Sequence, residues 1–404
     1  MNRLRRCLSC LMLLLAAAGP AIAAQATAAA TPPRYKVVAY YLASSMPARY
    51  VSPMKIPASR ITHLNYAFAG ITDGEIVVGD PALDTSGPDN FARLRELKKR
   101  HRHLKTLISV GGWLGSASFS DVALTPESRA RFADSGVAFI RKHGFDGIDV
   151  DWEFPVSGGM PGNVRRPQDK ENFTLLLKAM RQKLDAAGRA DRRRYLLTAA
   201  VGNNEDYLRN TEIRAVAAQL DWMNLMAYDM NGTWNKVAGH LAPLYHDPEQ
   251  VSPGGPNLRN NVADLVGQYL AAGVPPRQLV LGVPFYGYSW RQCGAARNGE
   301  YQSCEGPGRG SWEQGALDYS DIESQLVNRN GFTRHWNAAA HAPYVYNPQT
   351  GEFVSYEDPE SLRAKLHFIK QRRLGGAMFW ELTSDRGHQL LGTLAKALLP
   401  PGGP

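Results

Sequence analysis

Three carboxylates stand at alternate positions, Asp149, Asp151 and Glu153, within the stretch 145–155, which reads FDGIDVDWEFP. Ile148, Val150 and Trp152 are interleaved with them, so acidic and apolar residues alternate with a period of two. That period belongs to a β-strand, whose successive side chains point to opposite faces. The carboxylates then share one side, about 7 Å apart along the strand. Like charges in a row raise one another's proton affinity, and desolvation raises it further. A proton held on one of them at neutral pH makes a general acid. An edge strand with a solvated acidic face is the bland alternative, and it fits poorly because the opposite face is large and apolar. A calcium loop would need acidic residues in a glycine-containing turn flanked by helices. Val150 and Trp152 are strand formers instead.

Such a strand needs a scaffold around it. The chain has 404 residues, 44% hydrophobic and 21% charged, an ordinary globular composition whose length suits one large α/β domain carrying an insertion as well as it suits two domains. Eight short hydrophobic runs recur, at 36–41, 61–69, 104–110, 147–153, 196–201, 222–228, 279–285 and 376–381. Helical periodicity follows several of them, most clearly at 91–100, 127–143, 170–186, 261–272 and 359–372. Pro126 suits a first helical turn, while Gly144 and Gly273 suit helix ends. Strands alternating with helices predict a (β/α)8 TIM barrel with parallel strands, built from residues 34–286 and 358–400. The helix after the first strand is the weakest, being interrupted by Pro47, Pro53 and Pro57. About seventy residues separate the seventh run from the helix at Pro359, too many for an ordinary loop. The stretch 287–357 therefore reads as a small α+β insertion between strand 7 and helix 7. It has a helix-like segment at 319–327 and strand-like segments at 344–346 and 353–356.

Barrels of this kind place their active sites at the carboxyl ends of the strands. There the sequence sets Tyr40, Phe68, Trp113, Tyr228, Tyr286 and Trp380, with Met226 and Asp229 beside Tyr228. Flat apolar walls around an acidic floor suit a sugar polymer, whose rings stack while its hydroxyls seek carboxylates. No metal or cofactor is expected, since the ten histidines are scattered and none forms H-E-x-x-H. The tight basic run Arg192-Arg193-Arg194 reads as a solvated helix end or loop, and no nucleic-acid partner is expected. Arg3, Arg5 and Arg6, an apolar run at 8–18 and Ala21-Ile22-Ala23 predict a cleaved signal peptide at 1–23, followed by a linker at 24–33. An exported, soluble monomer without membrane attachment follows as the expectation. Cleavage would remove three arginines and no acidic residue, taking the formal charge from +9 to +6. Cys293 and Cys304 remain, without a C-x-x-C spacing, and in an exported chain they predict a disulfide.

At these residues the chain resembles the chitinases of glycoside hydrolase family 18, over essentially its whole length after the leader. DGIDVDWEFP is similar to the family's D-x-x-D-x-D-x-E signature, SVGGW (109–113) to its third-strand motif, MAYD (226–229) to its sixth and MFWEL (378–382) to its eighth. The long insertion resembles the family's α+β insertion domain. The resemblance implies that Glu153 donates a proton to the glycosidic oxygen. Asp151 would orient and charge-stabilise the substrate's acetamido group, Asp149 would share its proton, and Tyr228 would hold the acetamido carbonyl. Trp380 would floor the subsite at the cleaved bond, with Met226, Asp229, Tyr286, Trp113, Tyr40 and Phe68 lining the groove. Asp146 has the opposite parity and is expected to support rather than react. One departure concerns Tyr286-Gly287-Tyr288, where many relatives read Tyr-Gly-Arg. The function implied is a secreted, endo-acting chitinase using the substrate's own acetamido oxygen as nucleophile. The alternatives are a chitin-binding lectin on the same barrel, and a hydrolase of N-acetylglucosamine linkages in peptidoglycan or an N-glycan core.

Overall fold

Alternation of apolar and polar positions is realised as a closed barrel in this computed structural model, which describes residues 35–43, 49–87, 89–250 and 260–404. The expected leader and linker, 1–23 and 24–33, lie outside the described residues. The barrel strands are β1 (Lys36–Leu42), β2 (His63–Thr72), β3 (Lys105–Gly111), β4 (Gly147–Asp151), β5 (Leu196–Val201), β6 (Trp222–Leu225), β7 (Leu279–Pro284) and β8 (Gly376–Trp380). Neighbours pair in parallel and in chain order, and β1 pairs with both β2 and β8, which closes the ring. The fold is therefore a (β/α)8 TIM barrel with an α+β insertion between β7 and the helix Pro359–Gln371.

Helix ends follow the sequence closely. Thr125 caps Pro126–His143, sharing a capping box with Ser128, and Gly144 ends that helix at φ 80°. Asp358 and Ser361 start Pro359–Gln371 in the same manner. Only two short 3-10 turns, Pro53–Lys55 and Ala58–Arg60, occupy the described part of the proline-interrupted connection after β1. No helix among the described residues is long and apolar enough to cross a membrane.

The barrel has two cores because each strand has two faces. Ile148, Val150 and Trp152 point outward and pack with Phe119, Phe132 and Phe173 under the helices. The inward parity of β1, β6, β7 and β8 forms a smaller cluster around Val38, Tyr40, Trp222, Val280 and Met378.

Two strands stop earlier than their patterns suggest. β4 ends at Asp151, so Glu153 stands in the bend beyond it rather than on the strand. The loop after β3 takes over the backbone there: Gly112 N–H donates to the Asp151 carbonyl at 2.8 Å, and Ser116 Oγ donates to it at 3.1 Å. Ser116 Oγ also accepts from Glu153 N–H at 2.9 Å. This close approach requires glycine at 111, where φ is 104° and a Cβ would lie 2.3 Å from the Asp151 oxygen. β6 likewise ends at Leu225 instead of continuing to Tyr228. Met226 N–H still bonds to Val201, but the Tyr228 carbonyl turns to Asn203 Nδ2.

The insertion is a six-stranded antiparallel sheet with the helix Tyr319–Gln325. The strands Ala342–Asn347 and Glu352–Ser355 cover the expected segments, while Tyr286–Arg291 and Thr333–Asn337 had no clear pattern of their own. Cys293 and Cys304 form the predicted disulfide. The cross-linked segment grips the loop after β6. Cys304 N–H donates to Lys236 at 2.8 Å, Ala238 N–H to Gln302 at 3.0 Å, and Trp290 Nε1 to Asn235 at 3.0 Å. Buried His240 pairs with Glu300 at 2.8 Å, and Leu241 N–H donates to Ser355 Oγ at 2.9 Å.

The cysteines are 11 residues apart, and closing so short a loop stabilises the folded state by about 3 kcal/mol in the chain-entropy account. The double variant Cys293→Ser/Cys304→Ser should show that loss in denaturant unfolding of the insertion. A variant as stable as the parent would show that the cross-link contributes nothing to the clamp.

Candidate active site

Register builds the acidic floor. Ser109 on β3 and Thr198 on β5 both face Asp149 on β4 across the parallel ladder. Ser109 Oγ donates to Asp149 Oδ2 at 2.8 Å and Thr198 Oγ1 to Oδ1 at 2.5 Å. Tyr40 from β1 adds a hydroxyl at 2.7 Å, and Asn224 from β6 adds an amide N–H at 3.1 Å. Four donors fill the four acceptor positions of an ionised carboxylate. Burial pushes the Asp149 pKa up, while the bonds from Thr198, Tyr40, Ser109 and Asn224 pull it back.

Asp151 is buried without such support. Its Oδ1 meets no hydrogen-bond partner among the described residues. Burial raises its proton affinity well above the ordinary carboxylate range, and the charges of Glu153 and Asp149 add to it. Glu153 is partly exposed at the floor's upper edge. Burial first, and then the charge of Asp229, push its pKa up to about 8. At neutral pH the row therefore holds protons, and Glu153 is a group that can release one into the groove.

The walls are aromatic. The rings of Phe68 and Trp380 stack at 5.7 Å, and Tyr40 lies 5.6 Å from Trp380 on its other contact. Across the mouth, Tyr228 and Tyr286 meet edge-on at 6.2 Å. The Tyr286 hydroxyl donates to Asp229 Oδ1 at 2.5 Å, and Asp229 holds a left-handed backbone at φ 57°. Met226 packs, partly buried, against the inner core. Trp113 is 49% exposed in the loop after β3. The only acceptor that the buried Tyr228 hydroxyl meets among the described residues is the Met378 thioether, at 4.0 Å, which is a weak one.

Eleven sequence-nominated residues thus sit at one end of the barrel or on its inner floor. Asp146 does not join them; it ion-pairs with Lys98 and Arg193 at the foot of β4. Sequence reading missed Thr198 and Asn224, whose only signal is a polar residue at inward parity in an apolar strand. Tyr288, at the departure from Tyr-Gly-Arg, stands edge-on to Tyr286 with ring centroids 5.6 Å apart, beside the hydroxyl that holds Asp229. Trp234, 61% exposed and edge-on to Tyr288 at 5.4 Å, was also missed, since nothing in its neighbours marks it.

The geometry can be set beside known proteins. The chain is 44% identical to "Chitinase A1" of Niallia circulans, an alignment covering 97% of this chain and 62% of that protein. It thus spans less than two thirds of that relative's length. Among solved structures, "Chitinase ChiA74 from Bacillus thuringiensis" superposes with a TM-score of 0.86 at 40% identity, over 92% of this chain and 70% of that one. A glycoside hydrolase family 18 N-acetylglucosaminidase from Paenibacillus barengoltzii superposes with a TM-score of 0.78 at 34% identity, over 90% and 100%. The family model described as "Glycosyl hydrolases family 18" matches residues 36–385, nearly the whole described chain from β1 past β8, and the chain belongs to that family.

Proposed function

We propose that this chain is an exported, endo-acting chitinase that hydrolyses β-1,4-linked N-acetylglucosamine polymers with the substrate's acetamido group as nucleophile. One observation carries the reading. Two buried groups lack good partners: the acceptor Asp151 Oδ1 and the donor hydroxyl of Tyr228. They lie within electrostatic reach of each other. An acetamido group offers one N–H and one carbonyl oxygen, the complement of that pair. The relatives' names, the basic–apolar leader and the disulfide support the substrate and the export.

The steps follow from these groups. Glu153 gives its proton to the glycosidic oxygen as the bond to the anomeric carbon breaks. The acetamido oxygen, its N–H held by Asp151 and its carbonyl by Tyr228, forms the new bond from the opposite face. The resulting oxazolinium ion is balanced by the acidic floor. Water then attacks that carbon, Glu153 takes the water's proton, and the ring reopens with net retention. Asp149, already bound to four donors, fixes the charge beneath Asp151. Trp380, with Tyr40 and Phe68 around it, would floor the cleaved unit. Met226, Asp229, Tyr286 and Trp113 would line the rest of the groove. A lectin role is disfavoured because the proton donor and both acetamido partners are present together. Exposed Trp113 and Trp234 at the mouth suit a long linear chain over a branched glycan.

Glu153→Gln should lower kcat about a thousandfold while chito-oligosaccharide binding persists, as calorimetry can show. Turnover within tenfold of the parent would remove Glu153 from the acid's role. Because the acid must be protonated, kcat/KM should hold below pH of about 8 and fall above it. Asp229→Asn removes a negative charge that raises this pKa, so the falling limb should move to lower pH. A limb that stays in place or rises would refute that electrostatic coupling. On partially deacetylated chitin, early reducing ends should be almost entirely N-acetylglucosamine in the β form, read by NMR. An amine cannot close the ring, and losing an intramolecular nucleophile forfeits effective molarities of about 10⁵ M. Frequent glucosamine ends, or an initial α anomer, would overturn the substrate-assisted mechanism.

A further inference from the structure

Glu153 must aim its proton, yet β4 ends at Asp151 and the sheet does not carry it. Backbone polar groups need partners, and here two loops supply them with side chains. From the β3 side, Ser116 Oγ takes the Glu153 N–H at 2.9 Å. From the loop that follows Glu153, Asn163 Nδ2 donates to the Glu153 carbonyl at 2.9 Å. The peptide groups on either side of the acid are therefore both held, each by a different loop.

Asn163 is built into its place. Its chain neighbours Gly162 and Val164 are exposed, whereas Asn163 is half-buried and turned back toward Glu153. An asparagine in a loop ordinarily bonds the backbone close to itself. This one reaches a carbonyl 10 residues back. Gly159 makes room for it: at φ 71°, a Cβ there would lie 2.0 Å from the Glu153 carbonyl oxygen and 2.6 Å from Asn163 Nδ2. The loop is fastened around the amide. Asn163 N–H donates to the Met160 carbonyl at 3.0 Å, and Val164 N–H donates to the Ala117 carbonyl, beside Ser116, at 3.1 Å. Further along, buried Asp169 accepts from Arg166 N–H at 2.8 Å, from Val156 N–H at 3.3 Å and from Ser120 Oγ at 2.6 Å. The β3 and β4 loops are thus laced together where both reach the acid.

We propose that Asn163 is a positioning residue for the proton donor, which holds the Glu153 peptide from one side while Ser116 holds it from the other, and so fixes the direction from which the carboxyl meets the glycosidic oxygen. The inference rests on the functional reading above. Proton transfer needs its two heavy atoms within about 3 Å, and a misplacement of about 1 Å can cost 10²-fold in rate. Asn163 acts through the peptide of Glu153 rather than on the sugar, so its effect should scale with the need for the proton.

A change of leaving group tests this. N-acetylchitotetraose must release a sugar alcohol, which needs the acid. The 2,4-dinitrophenyl glycoside of N-acetylchitobiose releases a stable phenolate, which needs it little. Asn163→Ala should lower kcat/KM on the tetraose about tenfold, and about fivefold more than on the aryl glycoside. Calorimetric affinity for the tetraose, compared between Glu153→Gln and Glu153→Gln/Asn163→Ala, should agree within about twofold. Equal losses on the two substrates would make Asn163 a structural residue and overturn the proposal. So would no loss on the tetraose, or a loss matched by weaker binding. Glu153→Gln alone should show the same bias between substrates, more strongly. If it loses equally on both, the acid is misassigned and the functional reading fails; if only Asn163→Ala does, that reading stands and the positioning role falls.

Discussion

A carboxylate held by four strands is the constraint on which the rest depends. Asp149 is fully buried, and its four donors come from β1, β3, β5 and β6. A charge in that position is tolerable only when its lone pairs are filled, and charge-assisted bonds are the strong kind. The barrel must therefore close in one register. A slip by one residue on any of those strands would turn its donor to the outer face. The same register lifts Asp151 and Glu153 to the mouth, where burial first and neighbouring carboxylates second raise their proton affinities.

Stability and chemistry are separated by strand parity. Outward residues such as Ile148, Val150 and Trp152 bury apolar area under the helices, which is where the favourable free energy of folding resides. Inward residues give some of that up to polar groups. The loops then complete the site with borrowed contacts. Gly111 lets the β3 loop lie against the end of β4, and the insertion grips the loop after β6 that carries Tyr228 and Asp229. Lys365, from the helix after the insertion, ion-pairs with buried Glu357 and donates to the Ala242 carbonyl at 2.7 Å, fastening the far end of that loop.

Much of this was legible because it follows from short-range rules. Alternation around Asp149, Asp151 and Glu153 gave both the strand and its acidic face, and helical periodicity, with Pro126 at a first turn, placed helix starts to within a residue or two. What the chain does not spell out is where two distant segments meet. Glu153 leaves its strand because Ser116, 37 residues earlier, takes its N–H. Thr198 and Asn224 look like ordinary strand residues until register sets them beside Asp149. The strand Tyr286–Arg291 was hidden for a similar reason, since it is defined by partners at 306–307, 316–318 and 352–355.

The clamp on the β6 loop also bears on the order in which a growing chain can become competent. All three carboxylates are present once residue 153 has been made, yet Asn224 must arrive before Asp149 is fully bonded. The loop after β6 then waits for partners at 290, 302, 304 and 355, and for Lys365. β1 waits longest, since its neighbour β8 ends at Trp380, some 340 residues downstream. Synthesis therefore delivers the acid early and the pocket last. A chain that stops between residues 153 and 376 carries the carboxylate row without the strand that closes the barrel around it.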